Sequence, residues 1–199
     1  MKLPSLSPQT WVTLQLGFTQ GFGLLLFAVQ APLLGPTAFG LIGIVMVFIG
    51  FCELVLEVTS TEALVSIRDI ESRHYQTMTT VNGLIGITIG LGAFIAAEPI
   101  ARLFDEPELA DVLRVMCILP MIAALGSAPN AATRRDMQFK PLAIRSIASI
   151  GGGGLVGLVL AVLGYGVWAL VWQAIVQRVL SVVVMWMQNI QKLAAESTA

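Results

Sequence analysis

With 56% hydrophobic and only 12% charged residues over 199 positions, and a mean hydropathy of +0.85, this chain is far more apolar than a soluble domain, which runs nearer a quarter charged. The formal net charge of −1 carries little information, because the distribution of charge along the chain matters more than its sum, and no nucleic-acid partner is expected. One His and two Cys without a pair at metal-ligand spacing argue against a zinc site, an iron–sulfur site or a disulfide framework, and no cofactor is expected.

In chain order, six stretches are apolar enough to cross a membrane: Trp11–Leu33, Phe39–Val58, Thr80–Ala97, Val112–Ala132, Ala143–Leu163 and Val167–Met187. Each is about 20 residues long, which at ~1.5 Å of helical rise per residue matches a hydrocarbon core of ~30 Å. No soluble domain of this length has the interior to hide six such helices. The expectation is an all-α polytopic membrane protein, one bundle of six transmembrane helices over residues 1–199. The short segment before the first span ends in no small-residue cleavage site, so that span reads as retained rather than as a signal peptide. Cys52 and Cys117 fall inside spans and read as small apolar packing residues.

The connecting segments sort by charge. Lys2, Arg68, Arg73, Arg134, Arg135, Lys140, Arg145 and Lys192 fall on one side, eight of the eleven Lys and Arg residues. The positive-inside rule then makes both termini cytoplasmic, with the acidic loop Glu98 to Asp111 facing outward. Trp11 and Trp186 suit the inner interface, Trp168 and Trp172 the outer one.

The connections Leu34–Ala38 and Gly164–Gly166 are so short that the spans they join must be antiparallel neighbours. Gly17 and Gly21, Gly86 and Gly90, and Gly153 and Gly157 recur at the spacing that lets helices approach closely in lipid. The run Gly151 to Gly154 has no Gly-Lys-Ser/Thr after it and sits in an apolar span, which excludes a phosphate loop. It marks a weak, bendable point near the start of the fifth span. Pro120 should bend the fourth span.

Glu53, Glu57 and Arg178 lie where a charge costs ~2.5–3.5 kcal/mol on insertion scales, so they should face a bundle interior or a wet cavity. Glu53 lies ~20 Å below Gly40 and Arg178 ~17 Å below Val167, depths at which the two can pair. Glu57 is one turn deeper, close enough to the cytosol to be solvated. Gln173, Gln177, Ser181 and Gln188 form a polar stripe on the sixth span, and Gln9, Thr13 and Gln20 stand in a similar relation on the first. These features fit either a buried pair that fixes helix register or an aqueous cleft.

Four segments in order carry a family resemblance. Pro32 to Gly40 (PLLGPTAFG) is similar to an "LLGPxxFG" signature, and Leu103 to Val115 matches an "FxxPELAxxLRV" stretch. Ser127 to Phe139 (SAPNAATRRDMQF) contains "RRxxxF", and Gly164 to Val171 (GYGVWALV) is similar to "GxGVWALV". Together they resemble the polysaccharide transporter, or oligosaccharide flippase, family of the multidrug/oligosaccharidyl-lipid/polysaccharide exporter superfamily. Ala31 and Pro32 stand where members usually carry an Arg, and members have 12 to 14 spans in two lobes, of which this chain resembles the first.

The resemblance implies export of polyprenyl-diphosphate-linked glycans across the bacterial inner membrane by rocking of one lobe against the other. Under that reading Arg178 is the cavity cation, with Gln173 and Gln177 facing sugar. Arg134, Arg135, Lys140 and Arg145 gather the anionic headgroup or contact anionic lipid, and Glu53 and Glu57 couple an ion or act as structural partners. Partners are then the glycan substrate, membrane lipids, and a homodimer mate or a second-half polypeptide. The rival readings are a truncated or split half-transporter without activity of its own, and a small drug or ion exporter of the same superfamily. A membrane enzyme has no His–Asp or Ser–His constellation to support it.

Overall fold

Inside hydrocarbon a backbone amide finds no water, so a spanning segment must satisfy its own hydrogen bonds as a helix. The computed structural model describes residues 8–65, 72–126 and 139–196, with side chains described over 10–55, 80–126 and 141–188. These residues form α1 (Pro8–Val65), α2 (Ser72–Leu103), α3 (Pro107–Met116), α4 (Ile118–Leu125), α5 (Phe139–Val162) and α6 (Val167–Glu196), and no strand is present among them.

α1 is two helical arms joined at Gly35, whose φ of 74° and ψ of 170° are not helical. On a straight helix Phe27 and Phe39 would stand ~18 Å apart. Their ring centroids are 5.1 Å apart in an edge-on pair, so the chain doubles back. That backbone region is open essentially only to glycine. Pro36 then opens the second arm, where its missing N–H leaves no bond unmade.

Residue pairs between elements fix the directions. In the first arm Gln15 meets Ser146 of α5, and Leu26 faces Gly154, so the two run parallel. α6 runs antiparallel to α5, with Leu180 opposite Gly152 and Gln173 opposite Gly157. α2 runs antiparallel to α3 and α4, from Glu98 beside Arg114 to Gly86 beside Ala124. The second arm of α1 runs with α6, its residues 38–49 packing on Val167 to Val171 and Glu53 reaching Arg178. The legs therefore alternate in direction, and α1 starts at the same end of the bundle at which α6 finishes.

The separation into six spans is corrected in two places. Four helical stretches are long and apolar enough to cross a membrane: Thr10–Val55, Thr80–Leu103, Pro141–Val162 and Val167–Gln188. The first holds both of the opening spans, because only Gly35 leaves the helix where a loop over Leu34–Ala38 was expected. The fourth expected span is divided into α3 and α4 at Cys117, three residues before Pro120. Proline removes the amide that would bond to the Met116 carbonyl, and its ring crowds that group. The run Gly151 to Gly154 also differs from expectation: it stays helical. A Cβ on Gly153 would lie 2.9 Å from the Gln173 carbonyl oxygen and 3.0 Å from the Gln177 Cα, so these glycines serve close approach rather than bending. Gly86 and Gly90 likewise face α4, whereas Gly17 and Gly21 face open space.

The buried apolar core occupies one half of the bundle: Ala38 to Ile49, Ala97 and Ala101, Leu109 to Leu119, and Val167 to Val171. Large apolar side chains cover the outside, among them Leu24, Val47 and Ile95, each about seven-tenths exposed. A surface of this kind suits lipid rather than water.

Gly35→Ala puts a side chain on a backbone that L-residues avoid and should cost about 1–3 kcal/mol. Gly43→Ala, with nothing within 4 Å of the new Cβ, should change stability by less than about 1 kcal/mol. Thermal unfolding in detergent compares the two variants, and equal midpoints would contradict the reversal at Gly35.

Candidate functional site

Beyond that core, towards the end where α1 begins, the helices part around a cleft of about 340 Å³. The second arm of α1 contributes Met46, Ile49, Gly50 and Glu53, and α4 contributes Leu119. From α5 come Arg145, Ser146, Ser149 and Ile150, and from α6 come Ala174, Gln177, Arg178 and Ser181.

Arg178 Nη2 donates to Glu53 Oε1 across the cleft, joining α6 to the second arm of α1. The side chains are 34% and 29% exposed, so this pair is half-buried rather than enclosed. Neutralising both charges is what lets either occupy this depth. Arg145, near the start of α5, lies further from the core than Arg178 and donates to Met185 Sδ at 3.6 Å. Ser149 is buried and donates to the Ser146 carbonyl at 3.2 Å, while the Ser146 hydroxyl accepts from Gln15 at 2.9 Å. The lining thus holds two guanidinium groups, one carboxylate, three hydroxyls and one amide, groups able to hydrogen-bond an oxygen-rich ligand.

The structure brings Arg178, Gln177 and Glu53 together in the cleft lining. Gln173 stands about one turn away and outside that lining; it accepts from Gln30 Nε2 at 2.7 Å and packs on Gly153 and Gly157. Arg145, expected at the cytoplasmic mouth, lines the cleft itself. Glu57 belongs to the backbone of α1, but its side chain lies outside the described ones, as do Arg134, Arg135, Lys140 and His74.

Sequence reading missed Ser146, Ser149, Gln15 and Gln30. On the first arm it singled out Thr13 and Gln20, which are exposed, whereas Gln15 and Gln30 turn inward. The signal was the row Gln15, Phe18, Phe22, Leu26 and Gln30, spaced by three and four residues and so on one helical face. Cys52 and Cys117 are buried beside Ala93, and the Cys117 thiol donates to the Leu113 carbonyl at 3.0 Å. Among the described residues no group of three His, Cys, Asp or Glu is placed to hold a metal.

An all-helical bundle with an oily exterior marks a membrane protein, and the cleft is its polar feature among the described residues. Residues 29–197 match the family model described as polysaccharide biosynthesis protein, and the chain belongs to that family. It is 30% identical over 166 residues to the succinoglycan biosynthesis transport protein ExoT of Rhizobium meliloti (strain 1021), covering 83% of this chain and 34% of that protein. It is 19% identical over 171 residues to the lipopolysaccharide biosynthesis protein WzxC of Escherichia coli (strain K12), covering 86% of this chain and 34% of that protein. The chain spans about a third of the length of these relatives. No solved structure matches it.

Removing one partner of a charge pair at this depth leaves the other uncompensated. Arg178→Ala should lower stability by about 1–3 kcal/mol, less than a fully enclosed pair because both side chains are half-buried. Combining it with Glu53→Ala should recover part of that loss. A double-mutant cycle on unfolding in detergent measures the coupling, and strict additivity would contradict the pairing.

Proposed function

We propose that this chain takes part in moving lipid-linked oligosaccharide or polysaccharide precursors from the cytoplasmic to the outer leaflet of the bacterial inner membrane. The observation that carries the reading is the polar cleft, with two arginines in its lining, inside a bundle whose family and relatives concern polysaccharide biosynthesis and transport. A glycan on a diphosphate cannot enter hydrocarbon unaided. Guanidinium forks replace water around the phosphates, while Gln and Ser groups exchange hydrogen bonds with sugar hydroxyls. The lipid tail stays in the bilayer. The protein then acts by transport rather than by covalent chemistry, in keeping with the name of ExoT.

In this reading the bundle crosses the membrane six times with both ends cytoplasmic. The alternating directions of the described legs support an even count, and the clustered Lys and Arg residues support the orientation. Arg134, Arg135 and Lys140 gather the anionic headgroup at the cytoplasmic side. Gln173 and Gln177 serve the sugar, with Gln173 released from Gln30 when the helices rock. Glu53, and one turn further Glu57, balance the cationic charge or couple an ion. The cleft is one wall of the path, and the facing wall comes from a second copy or a second-half polypeptide. Without such a wall the chain is a half-transporter with no activity of its own.

Cells lacking the functional protein should accumulate lipid-linked oligosaccharide on the cytoplasmic leaflet and lose surface polysaccharide. Arg178→Ala should cut transport roughly tenfold or more, the loss expected for a charged hydrogen bond to substrate, while membrane insertion persists. Normal surface polysaccharide and no accumulation in the deletion strain would refute the transport reading.

A further inference from the structure

At about 340 Å³ the cleft holds on the order of ten waters, less room than an oligosaccharide on a diphosphate occupies. A ligand of that size requires one of the walls to move. The walls are the second arm of α1, α4, α5 and α6, and three of these are held to one another. Arg178 bonds to Glu53 and so ties α6 to the second arm. α5 is closed on α6, where Leu180, Gln177 and Gln173 fill the space that side chains on Gly152, Gly153 and Gly157 would need. The Gln30–Gln173 hydrogen bond then adds the first arm to that pair of helices.

The remaining wall, α4, is held differently. Of its residues only Leu119, at its start, belongs to the apolar core, and Pro120 interrupts the hydrogen-bond ladder that would make it continuous with α3. At its other end the Leu125 carbonyl, one of the last that a helix leaves unpaired, accepts from Trp186 Nε1 at 3.2 Å. Val182 and Met185 of α6 lie against Gly126 beside it. Trp186 is 40% exposed, so other donors and acceptors can replace this bond at small net cost. On its outer side α4 meets Gly86 and Gly90 of α2 through Ala124, Met121 and the Cys117 carbonyl, a fit close enough that the start of α2 goes where α4 goes.

We propose that α4, moving with the start of α2, is a flap beside the cleft. It swings about Cys117 and Pro120 when Trp186 releases the Leu125 carbonyl, and so widens the cleft for a ligand larger than its resting volume. This deepens the transport reading and rests on it, since there the cleft receives the ligand.

The test is dipolar broadening in electron paramagnetic resonance of the full chain in lipid nanodiscs, with Cys52 and Cys117 replaced by Ala. Nitroxides are placed on Leu125→Cys and Val183→Cys, both at exposed positions. A control pair, Ala148→Cys with Val183→Cys, spans the close contact of α5 with α6. Trp186→Phe keeps an aromatic ring and removes the donor. It should raise the separated fraction of the α4–α6 pair roughly two- to tenfold and leave the control pair unchanged. Gly126→Ala, whose new Cβ would lie 3.1 Å from Val182 Cγ2, should shift the α4–α6 pair the same way with Trp186 intact. In the unlabelled background Ser149→Cys, at a position 4% exposed on the α5 wall, should react faster with a thiol reagent when Trp186→Phe is added. An α4–α6 separation that neither variant changes overturns the flap. An equal change in the control pair also overturns it, because that is general loosening. So does separation without faster reaction at Ser149→Cys, because the cleft has not then widened. None of these readouts uses a substrate, so their failure leaves the transport reading standing, and that reading fails instead on the deletion strain.

Discussion

A guanidinium and a carboxylate can lie deep in a hydrocarbon layer only if they meet, and much of this bundle is arranged so that Arg178 and Glu53 do. The two residues are 125 positions apart in sequence. They come level because α1 reverses at Gly35, which sends its second arm alongside α6 rather than away from it. Had α1 continued straight, Glu53 would stand ~27 Å beyond Gly35 along the axis with no cation beside it. The rotation of α6 is set from its other side. Gln173 and Gln177 sit against the glycine face of α5, and Gln30 holds Gln173, which leaves Arg178 turned towards the cleft.

The division of the bundle into a packed half and a parted half gives the cleft its direction. Ile49 and Leu119 belong to both the apolar core and the cleft lining, so the core forms the floor. Above that floor, towards the opposite end, the packing is mainly apolar apart from the Gln30–Gln173 hydrogen bond, and ions meet again at the far surface, where Glu98, Arg102, Asp111 and Arg114 associate. Those pairs are substantially exposed and contribute little to stability. Opening the cleft to that end requires the second arm of α1, α3 and the start of α6 to separate. Among the described residues the core there is built of apolar contacts without buried ion pairs, which suits the parting and closing of these surfaces that the proposed transport needs.

Much of this was legible in the sequence because hydrocarbon imposes a length and a polarity on every leg. Depth arithmetic alone put Glu53 and Arg178 within reach of each other, and the Gly153 and Gly157 spacing pointed to a close helix contact. Two kinds of information were not legible. Whether a Gly-Pro junction makes a loop or a reversal within an otherwise continuous helix depends on one backbone angle, so Leu34–Ala38 was over-read as a loop. Which polar residues turn inward depends on helix rotation. Gln20 and Thr13 drew attention by their polarity, but Gln15 and Gln30 share the face of Phe18, Phe22 and Leu26 that packs on α5. Arg145 looked like a loop cation because it follows a basic stretch, yet α5 begins at Phe139 and carries it into the cleft.

The central claim is that the space around Arg178 is a wet cleft, open at the end where α1 begins, which is proposed above to be cytoplasmic, and closed to the other by the apolar core. The direct test is thiol labelling of Ser181→Cys, with Cys52 and Cys117 replaced by Ala, using a membrane-impermeant reagent on intact cells and on inverted vesicles. Ser181 lines the cleft one turn beyond Arg178 and is absent from the core. Labelling in inverted vesicles that is absent in intact cells, and that a diphosphate ester slows, is the predicted result. A thiol at this position that reacts from neither side would contradict the account, since the Arg178–Glu53 pair would then be a dry structural contact.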